Sequence, residues 1–319
     1  MNVPPKMSLV SKLTTRDITP EDAVMQFESL PLTAQKGGRI YTQKNQDERR
    51  AQYLKARQIR AKIRENKVPF ISPNFLPEFW LCQGLTVVGA ESGKSKSTVC
   101  SNILNGFLES SDTRTAIVIS NEEAADAVYE RTACIALKKN YGAFFKRLLS
   151  DREINQVEDF VENHIIPRVE VVEEGSFDMS YIEDVQSVLE CAVVQRVGIV
   201  LIDYLQIITQ SRANPNAEPF QVSKKLGIYL KEYGKSNGIP VVCFTQLSSS
   251  SDTSSMAGRV QNDKTFYNHG FSCIEVIPNF ETLTTVFKIH KDRFFENNGK
   301  EVTATFKGGR LDFLGDDQL

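Results

Sequence analysis

The stretch VGIVLIDYLQ, residues 197–206, decides the fold of this chain. Its apolar run at 199–202 predicts a strand that is buried on both faces, as strands of parallel sheets are. The run ends on Asp203, so a carboxylate is expected at the C-terminal end of a central strand. Open α/β sheets bind ligands at that end, and in nucleotide-binding proteins such a carboxylate orients the Mg²⁺ on the phosphates. An ordinary strand followed by a helix cap would show the same pattern. The residues at the other strand ends therefore have to distinguish a nucleotide site from this alternative.

Strands and helices alternate on both sides of this stretch. Strands are predicted at 85–88, 115–119, 169–172, 199–202 and 240–244, and helices at 97–108, from residue 123, at 180–195 and at 222–235. Such alternation predicts an α/β fold with a mostly parallel, twisted sheet. Three later strands follow one another without helices and predict an antiparallel C-terminal region. They are expected at 273–277, 283–289 and 302–306.

Composition places the protein in a broad class and excludes several functions. The chain has 319 residues, 41% of them hydrophobic, and a net charge of −2. No apolar run approaches the roughly 18–20 residues of a membrane span, and the N-terminus lacks the apolar segment of a secretory signal. Scattered cysteines without a CxxC pair predict buried thiols in a reducing compartment, not disulfides or a zinc site. We therefore expect a cytoplasmic protein (host cytoplasm if the source is a virus) without a membrane partner.

Three segments are predicted along the chain. Residues 1–44 form an N-terminal arm, expected to be partly ordered around one short helix. Residues 45–68 form a basic linker helix with one narrow apolar stripe, and residues 69–319 form the main domain. A stripe this narrow suits docking into a groove on a neighbouring subunit, although a solvated helix lying on its own domain remains open. The stripe consists of Tyr53, Ala56, Ile59 and Ile63.

The loop after the first strand has the composition of a phosphate-binding loop. In such loops backbone N–H groups cradle phosphates, a lysine reaches the β- and γ-phosphates, and a hydroxyl holds Mg²⁺. The strict spacing G-x-x-x-x-G-K-[ST] is not met, because Lys94-Ser95 lies one residue too close to Gly89. Lys96-Ser97 has the right spacing but small residues in place of both glycines, and we favour it because loop length sets the ring of amides. Lys94-Ser95, or a loop without a ligand, stays open. The predicted nucleotide contacts are Ala90, Gly93, Lys94, Ser95, Lys96, Ser97 and Thr98.

Two other strand ends carry polar groups of the kind that a nucleotide site requires. Glu122 follows the second strand, where a carboxylate can polarise an attacking water. Its neighbour Glu123 is expected to be structural, and both acids could instead complement the dipole of the following helix. Gln246 follows the strand at 240–244 and is placed to sense a γ-phosphate, although a glutamine there is more often a loop hydrogen-bonding group.

Two loops are candidates for binding a single nucleic-acid strand. The first covers 209–220 and contains Arg212. The second is the Ser/Thr/Gly-rich segment 248–258, which is followed by Arg259, Lys264 and two aromatic residues. Cations and aromatic side chains on polar loops suit the phosphates and bases of a single strand. Solvated surface loops remain the alternative for both.

A late strand ends in cations. The sequence KIHKDR at 288–293 puts Lys291 and Arg293 on the same side of an extended chain. They are placed to reach a phosphate, and an arginine that does so from an adjacent subunit acts as an arginine finger. A charged edge strand, protected against aggregation, is the alternative.

These motifs, in this order, resemble the DnaB-like family of hexameric replicative helicases, specifically its C-terminal RecA-type motor domain. LIDYLQ at 201–206 looks like the family's Walker B signature, and PVVCFTQL at 240–247 resembles its glutamine-bearing strand. SNE at 120–122 is similar to the segment with the catalytic glutamate, and KDR at 291–293 to the finger strand. KSTVCSNI at 96–103 is similar to the helix after the phosphate loop, which favours the Lys96 spacing.

The resemblance covers roughly residues 75–315 and implies a RecA-like P-loop NTPase core preceded by a linker helix. It implies an ATP-dependent, ring-forming helicase, a homo-hexamer that translocates on single-stranded DNA with ATP and Mg²⁺. Primase, a helicase loader or a polymerase are the implied further partners. The family's roles fall on these residues: phosphate and Mg²⁺ binding on Lys96 and Ser97, metal positioning on Asp203, water activation on Glu122, γ-phosphate sensing on Gln246, and completion of a neighbour's site on Lys291 and Arg293.

The chain departs from the family in two respects. Its phosphate loop lacks the usual glycines, which bears on the rate of hydrolysis more than on nucleotide binding. It also lacks room for the family's N-terminal collar or a primase domain, so ring stability and primase recruitment are expected to depend on other proteins, as in a trimmed phage or plasmid form. Two other functions stay open: a RecA/RadA-type recombination ATPase, and a catalytically weak nucleotide-binding assembly factor.

Overall fold

The strands of the described residues form one sheet, in the order β3-β2-β4-β5-β1-β6-β7-β8-β9. All neighbouring pairs from β3 to β6 are parallel, and those from β6 to β9 are antiparallel. The sheet therefore has the mostly parallel core and the antiparallel C-terminal strands that the sequence predicts. The strands are β1 Gly84–Glu91, β2 Ala116–Ser120, β3 Val169–Glu173, β4 Ile199–Asp203, β5 Pro240–Leu247, β6 Ser272–Asn279, β7 Thr284–Asp292, β8 Glu301–Lys307 and β9 Arg310–Phe313.

Helices connect the parallel strands. In this computed structural model they are α1 Lys96–Glu109, α2 Ala125–Ala136, α3 Tyr141–Phe145, α4 Asp151–Phe160, α5 Ile182–Val194, α6 Pro219–Asn237, α7 Met256–Arg259 and α8 Thr265–His269. A π-helical turn, Val161–Ile165, continues α4, and a 3₁₀ turn, Leu205–Ile207, follows β4. The bounds of α6 follow from its sequence, because Pro219 occupies its first turn and Gly238, in a left-handed conformation, ends it.

The structure describes residues 73, 75–76, 81, 84–110, 113–173, 178–195, 197–249, 256–260, 265–293 and 297–314. The chain divides between Val68 and Pro69, and every described residue belongs to Pro69–Leu319. The predicted N-terminal arm at 1–44, the predicted basic helix at 45–68 and the candidate DNA contact Lys264 lie outside the described residues.

β4 lies between two hydrophobic cores, as its unbroken apolar run predicts. Ile199 and Leu201 belong to the core on one face of the sheet, together with residues of α1, α2 and α4. Val200 and Ile202 belong to the core on the other face, with residues of α5 and α6. All four side chains are fully buried, which stabilises the fold by roughly 1.5–3 kcal/mol for each. This burial on both sides holds the end of β4, and with it Asp203, in one place.

The C-terminal region differs from the prediction in two respects. The strand expected at 273–277 is β6, which pairs in parallel with β1 as well as antiparallel with β7. The short helices α7 and α8 lie between β5 and β6 in the chain. Helices this short carry too few residues for a periodic pattern, so the sequence shows no sign of a helical connection between β5 and β6. The four-residue strand β9 was missed for the same reason.

Most of the described cysteines are buried, but one is not. Cys100, Cys134, Cys243 and Cys273 are buried and free, whereas Cys191 is exposed on α5, against the prediction. The sequence pattern misled here because Cys191 stands among apolar residues of a helix that turns only one side to the core. Within the described part of the chain, no helix combines the length and the apolar character needed to cross a membrane.

Candidate nucleotide site

Four neighbouring parallel strands end at one edge of the sheet and bring the predicted polar residues together. In the register of the sheet, Ser120 of β2 lies beside Asp203 of β4, and Ala90 of β1 lies beside Gln246 of β5. Parallel strands present all their carboxyl ends on the same side, where α/β sheets bind ligands. The phosphate-loop candidates, Glu122, Asp203 and Gln246 thus share this edge, which we call the phosphate edge.

The loop between β1 and α1 places Lys96 at the start of the helix. Lys96 is the first residue of α1 and is 8% exposed. Lys94 instead lies beside the ring of Phe280, with its Nζ 5.4 Å from the ring centroid. Ser95 adopts a left-handed conformation with φ of 65°, which costs a residue other than glycine about 1–2 kcal/mol. Ser95 therefore occupies a position that favours glycine, directly before Lys96.

The N-terminus of α1 is suited to an anion. Its first turn contains no acidic residue, and its side-chain cap is absent. The backbone N–H groups of a helix's first turn have no partners within the helix, and together with the helix dipole they favour negative charge. A phosphate at this position would meet those amides and the ammonium of Lys96.

Asp203 is a buried carboxylate with spare bonding capacity. It is 5% exposed, and its Oδ1 has no hydrogen-bond partner among the described residues. Burial raises the pKa of Asp203 to about 6; a hydrogen bond from Ser97 opposes this shift, and the charges of Glu123 and Glu122 add to it. Lys96 also lies close enough to lower that pKa. Asp203 thus interacts with both Ser97 and Lys96.

The two acids after β2 have different environments. Glu123 accepts hydrogen bonds from both Nη atoms of Arg131, at 2.6 Å each. Its backbone N–H and carbonyl also bond to the hydroxyl of Ser120, at 3.1 and 2.6 Å. Glu122 is exposed. Glu123 is therefore held by Arg131 and Ser120, while the carboxylate of Glu122 faces solvent at the phosphate edge.

Two residues that the sequence analysis did not single out hold the strand ends together. Asn121 donates its backbone N–H to the carbonyl of Asp203 at 2.9 Å and its side-chain amide to the carbonyl of Tyr204 at 3.3 Å. Gln206 donates its side-chain amide to the hydroxyl of Thr245 at 2.6 Å and to the carbonyl of Gln246 at 3.2 Å. Gln206 closes the stretch that decides the fold, so its polar side chain just past a buried strand was the available signal.

Residues 80–258, more than half of the chain, match the family described as the DnaB-like helicase C-terminal domain. The chain belongs to this family. Two solved structures share its RecA-like fold at 14% sequence identity, each with a TM-score of 0.61 over 73% of this chain. One is described as an ATPase domain, of which 85% is covered, and the other is a DnaB-like replicative helicase described with its primase interactions, of which 59% is covered. No curated protein matches in sequence.

In this DnaB-like chain, Lys291 and Arg293 lie far from the phosphate edge. β7 runs antiparallel to β6, so that Asp292 pairs with Ser272, the first residue of β6. Because β6 is parallel to β1, this end of β7 lies at the opposite edge of the sheet, which we call the finger edge. Lys291 donates to the carbonyls of Tyr267 and Asn268, at 2.9 and 3.1 Å, and burial lowers its pKa. Arg293 is exposed.

The first candidate DNA loop is fastened to the helicase fold through α5. Arg212 donates to both carboxylate oxygens of Asp184, one of them at 2.8 Å, and its guanidinium lies 4.1 Å from the ring centroid of Tyr181. Glu183 accepts from the hydroxyl of Ser211 at 2.6 Å and from the backbone N–H of Arg212 at 3.0 Å. The guanidinium of Arg212 thus anchors the loop to its own subunit.

Arg259, which follows the second candidate loop, also bonds to residues of its own chain. Its guanidinium donates to Glu91 at 2.7 Å and to Glu275, and its side chain is 17% exposed. Its Nε donates to the carbonyl of Ser248 at 3.1 Å. The sequence predicted a cation available to bind a nucleic-acid strand here, but α7 folds the chain back on the end of β5, where Leu247 pairs with Val260. Sequence offers no signal for such a return.

Proposed function

We propose that this DnaB-like protein hydrolyses ATP between adjacent copies of itself and thereby moves along single-stranded DNA as a ring. One observation carries the proposal: the phosphate edge gathers Lys96, Asp203 and Glu122, whereas Arg293 lies at the finger edge. A chain of this geometry can complete a site that needs all of them only with a second copy. The hexamer implied by the resemblance closes such contacts into a ring.

The residues present fit a Mg²⁺ ion bound with a nucleotide. Mg²⁺ prefers oxygen ligands and is usually held by one or two protein groups together with substrate phosphates. The free Oδ1 of Asp203 and the hydroxyl of Ser97 supply such groups. No cluster of three or more His, Cys, Asp or Glu side chains suited to a metal occurs within the described residues. When bound, Mg²⁺ would neutralise developing charge on the phosphates.

The chain's own residues divide the chemistry between them. Lys96 and the first amides of α1 would hold the β- and γ-phosphates in place. Glu122, exposed at the phosphate edge, would accept the proton of the attacking water. Gln246 is placed to contact the γ-phosphate and is tied through its carbonyl to Gln206, so its position is coupled to the 3₁₀ turn after β4. Positioning and charge stabilisation supply most of the rate in phosphoryl transfer.

Partners follow the same reasoning. Within the family, one of the structural neighbours is described with primase, and we propose primase, a helicase loader or a polymerase as partners for this chain. The segments at 1–44 and 45–68 would serve ring assembly, the basic helix by docking on the next subunit.

ATP turnover with and without single-stranded DNA tests the proposal. We expect Mg²⁺-dependent hydrolysis that single-stranded DNA stimulates, and closed rings in negative-stain images recorded with nucleotide. Filaments on DNA would instead indicate a recombination ATPase. Nucleotide binding without turnover under either condition would indicate an assembly factor and would contradict a motor.

A further inference from the structure

A cluster of ionisable side chains lies next to the proposed nucleotide site but has no part in it. Its members are Glu91, Arg259, Glu275 and His290. Arg259 bridges Glu91 and Glu275, and the other oxygen of Glu275 lies 2.7 Å from Nε2 of His290. The side chains of Arg259, Glu275 and His290 are 17%, 6% and 10% exposed. Charges so far from water are tolerated only when paired, so these residues hold one another in place.

The cluster joins two segments that have different proposed functions. Glu91 is the last residue of β1 and directly precedes the phosphate loop. Arg259 ends α7, in the segment after β5 that contains a candidate DNA loop. The backbone N–H of Ser248 donates to the carbonyl of Arg259 at 2.7 Å, while Nε of Arg259 donates back to the carbonyl of Ser248 at 3.1 Å. Arg259 therefore closes the base of the loop and holds the end of β1 at the same time.

A second contact, independent of charge, ties the same two segments. Met256 of α7 is fully buried, and its Cε would lie 2.7 Å from a Cβ atom added to Gly89 of β1. A side chain at position 89 would have to displace the end of Met256 and the neighbouring side chain of Leu247. Met256 of α7 thus packs against the strand that leads into the phosphate loop.

The two carboxylates that Arg259 bridges differ in exposure. Glu275 is 6% exposed and also pairs with His290, whereas Glu91 is 35% exposed. Breaking the contact with Glu275 would leave a buried carboxylate with one partner fewer, but the carboxylate of Glu91 can be solvated when released. Of the two contacts of Arg259, the one with Glu91 is therefore the less costly to open.

We propose that Arg259 is a positioning residue that couples nucleotide occupancy of the phosphate loop to the grip of the segment after β5 on single-stranded DNA. This inference rests on the proposed function. It assigns Arg259 to a junction between sites within one subunit, in place of the direct phosphate contact that its sequence suggested. It also gives the end of β1 a role in coupling. Gln246, the candidate γ-phosphate sensor, lies instead on the neighbouring strand β5.

The test is the ratio of single-stranded DNA affinities of the full-length protein with and without a non-hydrolysable ATP analogue and Mg²⁺, measured by anisotropy of a labelled oligothymidine. We expect a wild-type ratio of roughly 5 or more, as for coupled sites in general. Glu91→Gln and Arg259→Gln should each bring the ratio towards one. The double variant should go no further, because both changes remove the same contact. Arg152→Gln, the same substitution on the exposed face of α4, should keep the wild-type ratio.

The Glu91→Gln variant keeps the test decisive. Arg259→Gln leaves the buried Glu275 with one partner fewer and can fail to fold, whereas Glu91→Gln preserves the pair between Arg259 and Glu275. A purely structural role would lower the melting temperature and both affinities while leaving their ratio unchanged, and that result overturns the inference. A wild-type protein without DNA-stimulated turnover would overturn the proposed function as well. If the wild-type protein and the variants instead show the same affinity ratio, clearly above one, this inference alone is overturned.

Discussion

The phosphate edge and the finger edge of the sheet both carry cations that can meet a phosphate, yet they are built differently. At the phosphate edge, Lys96 is buried and Asp203 is 5% exposed, and hydrogen bonds from Asn121 and Gln206 tie the strand ends together. At the finger edge, Arg293 is exposed beyond the last residue of β7. The residues of the phosphate edge are held in place by contacts within the chain, whereas Arg293 at the finger edge is exposed to solvent. The proposed site between adjacent copies requires such a difference, because one subunit would supply the phosphate edge and its neighbour the finger edge.

The largest expected effect tests whether the two edges meet between subunits. Arg293→Ala should lower kcat for ATP hydrolysis by about 10³–10⁵-fold, the range found for arginine fingers. Lys96→Ala should also inactivate. Mixing the two inactive variants should restore activity, because some interfaces then combine an intact Lys96 with an intact Arg293. Steady-state turnover of the mixture is the measurement, and a mixture as inactive as its components would contradict a shared site.

The next effect separates the two acids of the phosphate edge. Glu122→Gln should lower kcat by about 10²–10⁴-fold, the contribution of a general base, with an unchanged free energy of unfolding. Glu123→Gln should instead weaken the contact with Arg131 and destabilise the fold by about 1–2 kcal/mol. Single-turnover hydrolysis and urea unfolding of both variants distinguish these outcomes. The assignment is reversed if Glu123→Gln abolishes hydrolysis at unchanged stability.

A third experiment decides which lysine serves the phosphate loop. Lys96→Ala should lower kcat by at least about 10²-fold, as removal of one preorganised stabiliser of transition-state charge does. Lys94→Ala should keep most of the activity, because the side chain of Lys94 lies against Phe280 and not at the start of α1. Turnover of both variants under saturating Mg²⁺ and ATP gives the answer, and full activity of Lys96→Ala would show that the favoured spacing is mistaken.

The smallest effect concerns the stability that the fold loses by burying Asp203 at the phosphate edge. The pKa of Asp203 is raised to about 6, above the value of about 3.9 in an unfolded chain. The folded protein therefore binds the extra proton between these values, and stability is lost as the pH rises through that window. Asp203→Asn should remove this penalty and raise the free energy of unfolding at pH 8 by up to about 3 kcal/mol without nucleotide or Mg²⁺.

Unfolding of both proteins at pH 4 and pH 8 is the measurement. The two proteins should differ less at pH 4 than at pH 8, since Asp203 is then neutral in the folded state. Equal pH dependence of the two would show that Asp203 is not the group responsible. Hydrolysis should be lost in Asp203→Asn at either pH, because an amide is a poor ligand for the metal compared with a carboxylate.

Much of the fold could be predicted because its signals are local. The apolar run at 199–202 required burial on both faces, and β4 lies between two cores. The alternation of strands and helices implied a parallel sheet, in which the C-terminal ends of β2 and β4 had to lie at the same edge; the structure places them side by side. Elements of four or five residues, such as α7, α8 and β9, escaped because such lengths show no periodicity.

The sequence alone determined which strands end in polar groups, since each such group directly follows an apolar run and chain direction places it at a sheet edge. Only the tertiary structure decided the environment of each group. Local sequence is silent on partners that are remote along the chain, and Arg259 pairs with Glu91, 168 residues away, as well as with Glu275. The same long-range pairing put Arg293 at the edge opposite Lys96, because the antiparallel return of β7 reverses the chain after β6.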